Sequence, residues 1–418
     1  MDPRTLTDIA LHRLKDIRLY VETYGCTYNF GDTEMIIEIA RSQGCTIVDT
    51  VEDADAVLIN TCIVVDRTER HMYERMDLFF DKVLIVTGCL LGMSIDRVLS
   101  AYPDICIIDP NLIRSCHREI GTVRAGDHAV LQIARGCNGH CTYCITRFAR
   151  GKLVSFPLED IVKQAREFVM AGVVEIQLTA QDVSSWGMDR ADDLRLPNLL
   201  RALTVIPGEF RIRVGMANPD TLLPILDDFL DAIADPKIFL FLHVPVQSGS
   251  DVVLKMMGRK YTAVQYEEIC CRARERYPNI RISTDYIAGF CGETAEDGEA
   301  SVAQIFAVRP GKVNITRFSV RPGTPAANMK CLPESVKKDR SRALTNAVNA
   351  VYDANNEVWI GKTVDAVVTE VVHAGSVTVR DRTYQNIVLL SEIPVGTRLR
   401  VIITGHRRHY LLGMVALE

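Results

Sequence analysis

Three apolar runs near the N-terminus, at 17–22 (IRLYVE), 54–61 (ADAVLINT) and 82–88 (KVLIVTG), have the length and continuity of strands buried on both faces. Segments 31–43 and 66–80 between them space their apolar positions as helices do. Strands alternating with helices predict an α/β unit on a parallel sheet, spanning 17–120. The same alternation continues further along, with candidate strands at 129–135, 173–180, 210–217, 238–246, 280–289 and 313–320 and amphipathic helices such as 158–172. Six such units, within 128–333, predict an open, partial (β/α)6 version of the eight-unit barrel. Residues 334–360 are polar with helical spacing and read as a connector. From 361 to 418 the pattern changes to short β-rich runs broken by Gly, Asp and Pro, which predicts a small antiparallel barrel.

Composition narrows what such a chain can be. At 418 residues it exceeds what one core organises, and 48% hydrophobic with 24% charged residues is ordinary globular usage. The first twenty residues lack an apolar secretion core, and no apolar run approaches the roughly 18 residues of a membrane span. No apolar tail follows the last β-run, which ends at Val415–Ala–Leu–Glu418. A cytoplasmic protein without membrane attachment is expected. Thirteen cysteines then stand out, because disulfides are rare in a reducing compartment and surplus thiols there point to metal or catalysis. The net charge of −5 does not suggest a nucleic-acid partner, although 361–418 hold seven Lys/Arg against five Asp/Glu.

Cysteine placement is more telling than cysteine number. Cys26, Cys62 and Cys89 each follow one of the first three predicted strands. Carboxyl ends of parallel strands share one rim of a sheet, so three thiols distant in sequence can meet there. Cys137–Asn–Gly–His–Cys141–Thr–Tyr–Cys144 is a C-x3-C-x2-C run directly after another predicted strand. Three thiolates so close can hold three irons of a 4Fe–4S cluster and leave the fourth iron open to an outside molecule. A zinc knuckle is the other reading of such a run. It asks for four ligands in a closed site, and no fourth Cys or His stands at matching spacing, although His140 lies between two of the thiols. Cys45, Cys106, Cys116, Cys270, Cys271, Cys291 and Cys331 fall outside both sets, and all but Cys291 read as buried or spare thiols.

The C-x3-C-x2-C run resembles that of the radical S-adenosylmethionine (SAM) superfamily. The contexts Glu22–Thr–Tyr–Gly25–Cys26–Thr–Tyr–Asn29, Asn60–Thr61–Cys62 and Thr87–Gly88–Cys89 look more specifically like its methylthiotransferase family. Further matches are Arg150–Gly151, Gln247–Ser–Gly–Ser–Asp251, Gly289-x-x-Gly292–Glu293–Thr294 and Arg321–Pro–Gly–Thr–Pro325, and the terminal barrel is similar to the RNA-binding TRAM domain. Cys291 stands where relatives usually have proline.

The resemblance implies two 4Fe–4S clusters, one on Cys137, Cys141 and Cys144 with SAM at its open corner and an auxiliary one on Cys26, Cys62 and Cys89. It also implies SAM contacts at Tyr143, Gln181, Asp182, Gln247, Ser248 and Gly289, whose glycine backbone would approach the ligand closely. A radical cut from SAM would remove hydrogen from C2 of an adenosine, and a methylated sulfur would bond there. An aromatic C2–H is too unreactive for acid–base chemistry, so no general base is expected. Partners would be SAM, the anticodon loop of tRNA and an external electron donor. Arg407, Arg408 and Tyr410 in the last hairpin combine cations with an aromatic ring, the usual means of gripping phosphates and stacking on RNA bases. Leu178–Thr–Ala–Gln–Asp182 with Trp186–Gly187, Arg213–Val–Gly–Met–Ala–Asn–Pro219 and Phe241–Leu–His–Val–Pro–Val–Gln247 look most like the enzymes acting on threonylcarbamoyl-adenosine. Other members of the family act on isopentenyl-adenosine or on an aspartate of ribosomal protein S12. For a threonylcarbamoyl substrate, Arg321 is a candidate partner of its carboxylate, with Arg317 nearby. A non-enzymatic RNA-binding protein sensing iron or oxygen is the reading from another class.

Overall fold

The computed structural model describes residues 2–79, 81–118 and 127–416. The predicted domain end at 120 and the last two residues of the chain lie outside the described residues. Five parallel strands form the N-terminal sheet: β1 (Arg18–Thr23), β2 (Thr46–Val48), β3 (Ala56–Thr61), β4 (Val83–Gly88) and β5 (Cys106–Ile107), ordered β2-β1-β3-β4-β5. Every residue of β3 is buried, as expected for a central parallel strand covered on both faces. The helix after β1, Thr27–Ser42, begins four residues before the apolar period does, directly behind Cys26.

A ribbon of β7 (Ala134–Arg135) and β8 (Val154–Ser155) flanks the central unit, whose main strands are β6 (His128–Gln132), β9 (Glu175–Thr179), β10 (Arg211–Arg213), β11 (Phe241–His243), β12 (Arg281–Ala288) and β13 (Lys312–Arg317). They form two parallel three-stranded sheets, β6-β9-β10 and β11-β12-β13. Isolated bridges Ile212–Ile238 and Met216–His243 join the sheets into one open arc. Helix Thr27–Ser42 packs along the β6 edge: Gln132 donates to the Tyr28 carbonyl at 3.1 Å and to Asp32 at 2.7 Å. The segment expected to be a connector is the helix Glu334–Glu357. It joins the central core through Leu344, Ala347, Val348, Val351 and Tyr352, so its apolar stripe is covered by the arc.

The last strands, β14 (Thr363–His373), β15 (Ser376–Asp381), β16 (Asn386–Leu389), β17 (Arg398–Arg407) and β18 (Tyr410–Val415), close into a barrel. Four of its pairings are antiparallel; β16 and β18 pair in parallel, which departs from the purely antiparallel expectation. The turn between β15 and β16 inserts under the arc. Tyr384, at φ +60°, donates to Glu175 at 2.7 Å and packs its ring on Phe239 and Phe241, while Leu240 N–H donates to the Arg382 carbonyl at 2.7 Å. No helix among the described residues is long and apolar enough to cross a membrane.

Candidate functional site

Cys26, Cys62 and Cys89 meet on the rim formed by the ends of β1, β3 and β4. Close approach of these loops depends on glycine at two places. Gly25 sits at φ +108°, and a Cβ there would lie 2.9 Å from Asn29 Nδ2 and 3.1 Å from Cys62 Cβ. Gly88 sits at φ +97°, where a Cβ would lie 2.4 Å from the Thr61 carbonyl. Both positive φ values and both clashes exclude larger residues.

The side-chain amide of Asn29 organises the trio. Its Nδ2 donates to the carbonyls of Tyr24 (2.8 Å) and Thr61 (2.9 Å), tying two of the cysteine loops together. Its Oδ1 lies 3.9 Å from Cys26 Sγ and 3.8 Å from Cys89 Sγ, and accepts from Arg150 Nη2 at 2.8 Å. Arg150 is buried, pairs with the equally buried Asp32 at 2.7 Å, and stacks over Tyr28 at 4.9 Å. It stands six residues after Cys144, so one side chain links the loop of the second trio to the first.

The second trio occupies a tight loop. The backbone N–H groups of Cys137 and Thr142 donate to Gly151 and Met257 carbonyls at 3.1 and 2.9 Å, and Gly136 N–H donates to Gln181 at 2.6 Å. Cys137 and Cys141 sulfurs flank Gly139, where a Cβ would lie 3.1 and 3.8 Å from them. Arg259 holds the phenol of Tyr143, donates to Asn218 at 2.7 Å and acts on Cys141 through its charge. Burial pushes the thiols of Cys62 and Cys137 up to about 11 and raises Cys89 and Cys141; Arg150 opposes the shift at Cys89, and Arg259 at Cys141. Such thiols carry protons at neutral pH and must release them when metal binds.

Among the described residues, no group of three or more His, Cys, Asp or Glu closes on a single-ion position. Three gathered thiols at each site offer one thiolate to each of three irons of a multi-iron cluster. An arginine beside each trio, buried Arg150 at the first and half-buried Arg259 at the second, suits the net negative charge of a thiolate-held cluster. The donor sets fit the groups that the sequence implies.

The other predicted residues fall into two groups. Tyr143 packs edge-on to Phe290 at 6.1 Å, and Gln181 holds the backbone just before Cys137. Gln247, at φ +73°, bridges to Tyr286 at the end of the arc. Asp182 is saturated by Ser184, Thr221 and the Asn218 N–H at 2.6–3.1 Å. Ser248 is buried between Ser301 and the Ser250 N–H. Gly289 packs on the helix that follows the arc: a Cβ there would lie 2.6–3.0 Å from Lys337. Arg321 is buried and paired with Glu69 of the N-terminal unit, with Nε and Nη1 unpartnered. Arg407 and Arg408 are exposed on the β17–β18 hairpin beside Tyr410, and Asn356 holds the hairpin by both arginine carbonyls at 3.1 Å. In the sequence Asn29 and Arg150 stand out only as parts of motifs, and nothing there singles out Asp32 or Arg259. Cys291 and Cys331 are 40 positions apart in the chain, yet their sulfurs lie 3.4 Å apart.

Residues 131–305 match the model of the Radical SAM superfamily, and residues 18–108 match that of Uncharacterized protein family UPF0004. The chain is 38% identical to the probable threonylcarbamoyladenosine tRNA methylthiotransferase of Archaeoglobus fulgidus, over 96% of this chain and 99% of that one. It is 29% identical to the threonylcarbamoyladenosine tRNA methylthiotransferase of Mus musculus, over 100% of this chain and 77% of the mouse protein. Its fold is similar to that of the radical S-adenosylmethionine methyltransferase TsrM from Kitasatospora setae, with a TM-score of 0.54 at 14% identity, covering 75% and 77% of the two chains.

Proposed function

The chain belongs to the threonylcarbamoyladenosine tRNA methylthiotransferase family, and from that premise we propose that it adds a methylthio group to C2 of N6-threonylcarbamoyladenosine (t6A) at position 37 of tRNA. The observation that carries the reading is the pair of cysteine trios, joined through Arg150 in a chain that aligns end to end with its archaeal relative.

In this reading Cys137, Cys141 and Cys144 hold a 4Fe–4S cluster whose free corner takes SAM, and Cys26, Cys62 and Cys89 hold a second cluster. When bound, these groups supply the hydrogen abstraction and the methylated sulfur that an inert aromatic C2–H demands. The protein's own residues position and insulate. Gln181 fixes the backbone entering the SAM-side loop, while Tyr143 and Gln247 stand beside the SAM position. Asp182 and Ser248, saturated by protein partners, hold the strand ends that carry these groups, and Gly289 lets Lys337 close the wall behind them. Arg150 offsets negative charge at the auxiliary cluster, where burial magnifies its effect. The terminal barrel acts as a TRAM-like RNA module, with Arg407 and Arg408 on phosphates and Tyr410 on a base of the anticodon loop. A one-electron donor completes the system.

Nucleoside mass spectrometry of tRNA from a deletion strain is the test. Loss of the 2-methylthio derivative with accumulation of t6A is expected, restored by the wild-type gene. Loss of methylthiolated isopentenyl-adenosine, or of modified S12, with the t6A derivative intact would overturn the assignment.

A further inference from the structure

A cavity of about 450 Å³ opens between the lower end of the arc and the terminal barrel. Its wall is crowded with cations: Arg213 ends β10, Arg281 and Lys312 begin β12 and β13, Arg380 comes from β15, and Arg408 stands near the mouth. Among the described residues none of the first four makes a salt bridge, and the partners they have are neutral. Arg213 reaches Gln177 Oε1 at 3.5 Å, Arg281 the carbonyls of Gly311 and Tyr384 at 3.0 and 3.4 Å, and Arg380 Asn386 Oδ1 at 2.8 Å. The Nε groups of Arg213, Arg281 and Arg380 are buried without any partner.

The carboxylates nearby are already engaged. Asp285 accepts from Asn314 at 2.6 Å and faces His243 at 3.3 Å; Asp381 accepts from Thr383 and the Gln385 N–H at 2.8 Å; Glu175 accepts from Tyr384. Burial lowers Arg281 to about 10 against the pull of Asp381, and burial followed by the charges of Arg213, Arg281 and Arg380 lowers Lys312 against that of Asp285. Desolvated like charges held this close repel one another, and an anion placed among them would relieve the repulsion.

We propose that this cavity is an anion subsite for the carboxylate on the side chain of the target nucleoside, with Arg213, Lys312 and Arg380 as its charged donors. The inference rests on the t6A reading above and assigns that substrate's recognition to a new place. Thr27, which follows Cys26, lines the same hollow, so it runs from the cations toward the first thiol trio. One ligand with a reacting ring at the rim and an anionic arm would span it. The amides of Gln177 and Asn386 suit the carbamoyl group of such an arm. A phosphodiester would need room for the strand to leave on both sides, whereas the hollow is walled by the starts of β12 and β13 and by the inserted Tyr384 turn. Arg321, paired with Glu69, is not among its lining residues.

The experiment uses the reconstituted full-length enzyme and three anticodon stem-loop RNAs, carrying at position 37 t6A, its threonyl methyl ester, or unmodified adenosine. KM for methylthiolation and Kd are measured for wild type, Lys312→Met, Arg213→Met and Arg213→Lys. Wild type should favour the acid over the ester by about tenfold to a hundredfold, the worth of a charge-assisted pair. Lys312→Met and Arg213→Met should bring the acid down to the ester's level, and Arg213→Lys should keep part of the preference. The acid-to-ester ratio within each variant is independent of how much of that variant folds. Equal handling of acid and ester by wild type would overturn the subsite while leaving the t6A reading intact. Equal weakening of all three RNAs in the variants would show a grip on backbone phosphate and overturn the carboxylate assignment. Methylthiolation of a different nucleoside, with t6A untouched, would overturn both.

Discussion

The two cysteine trios reach comparable arrangements by opposite routes. Cys137, Cys141 and Cys144 share one loop, whose geometry is fixed by backbone hydrogen bonds to its neighbours. Cys26, Cys62 and Cys89 come from three strand ends, and meet only because β1, β3 and β4 are adjacent in the sheet and because glycines at 25 and 88 let the loops touch. The first kind of site is encoded by spacing, the second by topology. Each has one arginine beside it, yet only Arg150 is drawn from the opposite unit. The topological site therefore depends on packing between units, and the local one depends far less on it.

This contrast can be broken by mutation, most severely at the cysteines. Cys141→Ala should abolish both 5′-deoxyadenosine formation and methylthiolation, while Cys62→Ala should abolish methylthiolation and retain SAM cleavage. Chromatography of both products from anaerobic reactions checks this, and loss of SAM cleavage in Cys62→Ala would remove the division of labour. Next comes Arg150→Ala, which strands Asp32 as a buried unpaired charge at a cost of about 3–5 kcal/mol. Urea unfolding measures it, and Arg150→Met with Asp32→Leu should recover most of the loss.

Gly25→Ala should cost roughly 1–3 kcal/mol through strain at positive φ. It should also lower iron content by roughly half, since only the topological trio is disturbed. Iron analysis alongside electron paramagnetic resonance of the remaining cluster would show which one is lost. The smallest effect on stability belongs to Arg407→Ala and Arg408→Ala, within about 0.5 kcal/mol because both side chains are exposed. Their RNA affinity should fall instead, with the slope of log K against log salt shrinking by about 0.7 for each phosphate no longer neutralised.

What could be read from the sequence follows the same division. Apolar runs placed β1, β3, β4 and the six strands of the arc to within a few residues, most sharply at β3 and β4, where burial on both faces leaves an unbroken apolar signature. Strands β2 and β5, of three and two residues, escaped, since so short an edge strand carries no period. The strand expected over 210–217 is regular only through Arg211–Arg213, and Met216 keeps a single bridge to His243. Both thiol sets were legible, one by spacing and one by strand ends. The polar network of Asn29, Asp32, Gln132 and Arg150 was not, because it is assembled from elements as many as 121 positions apart and its members look like ordinary surface residues in a linear reading. For the same reason the approach of Cys291 to Cys331 and the packing of Gly289 on Lys337 emerge only in three dimensions.

The Tyr384 turn has a mechanical consequence. With its ring wedged against Phe239 and Phe241, and its neighbour Arg382 bonded to the edge of the arc, the terminal barrel is fastened underneath rather than hung from a hinge. Under the proposed RNA-binding role, a strand clasped by that barrel would be presented to the thiols at a set reach. The molecule would then work as a gauge, admitting a nucleotide only when its distance from the clasped segment matches the gap between barrel and rim.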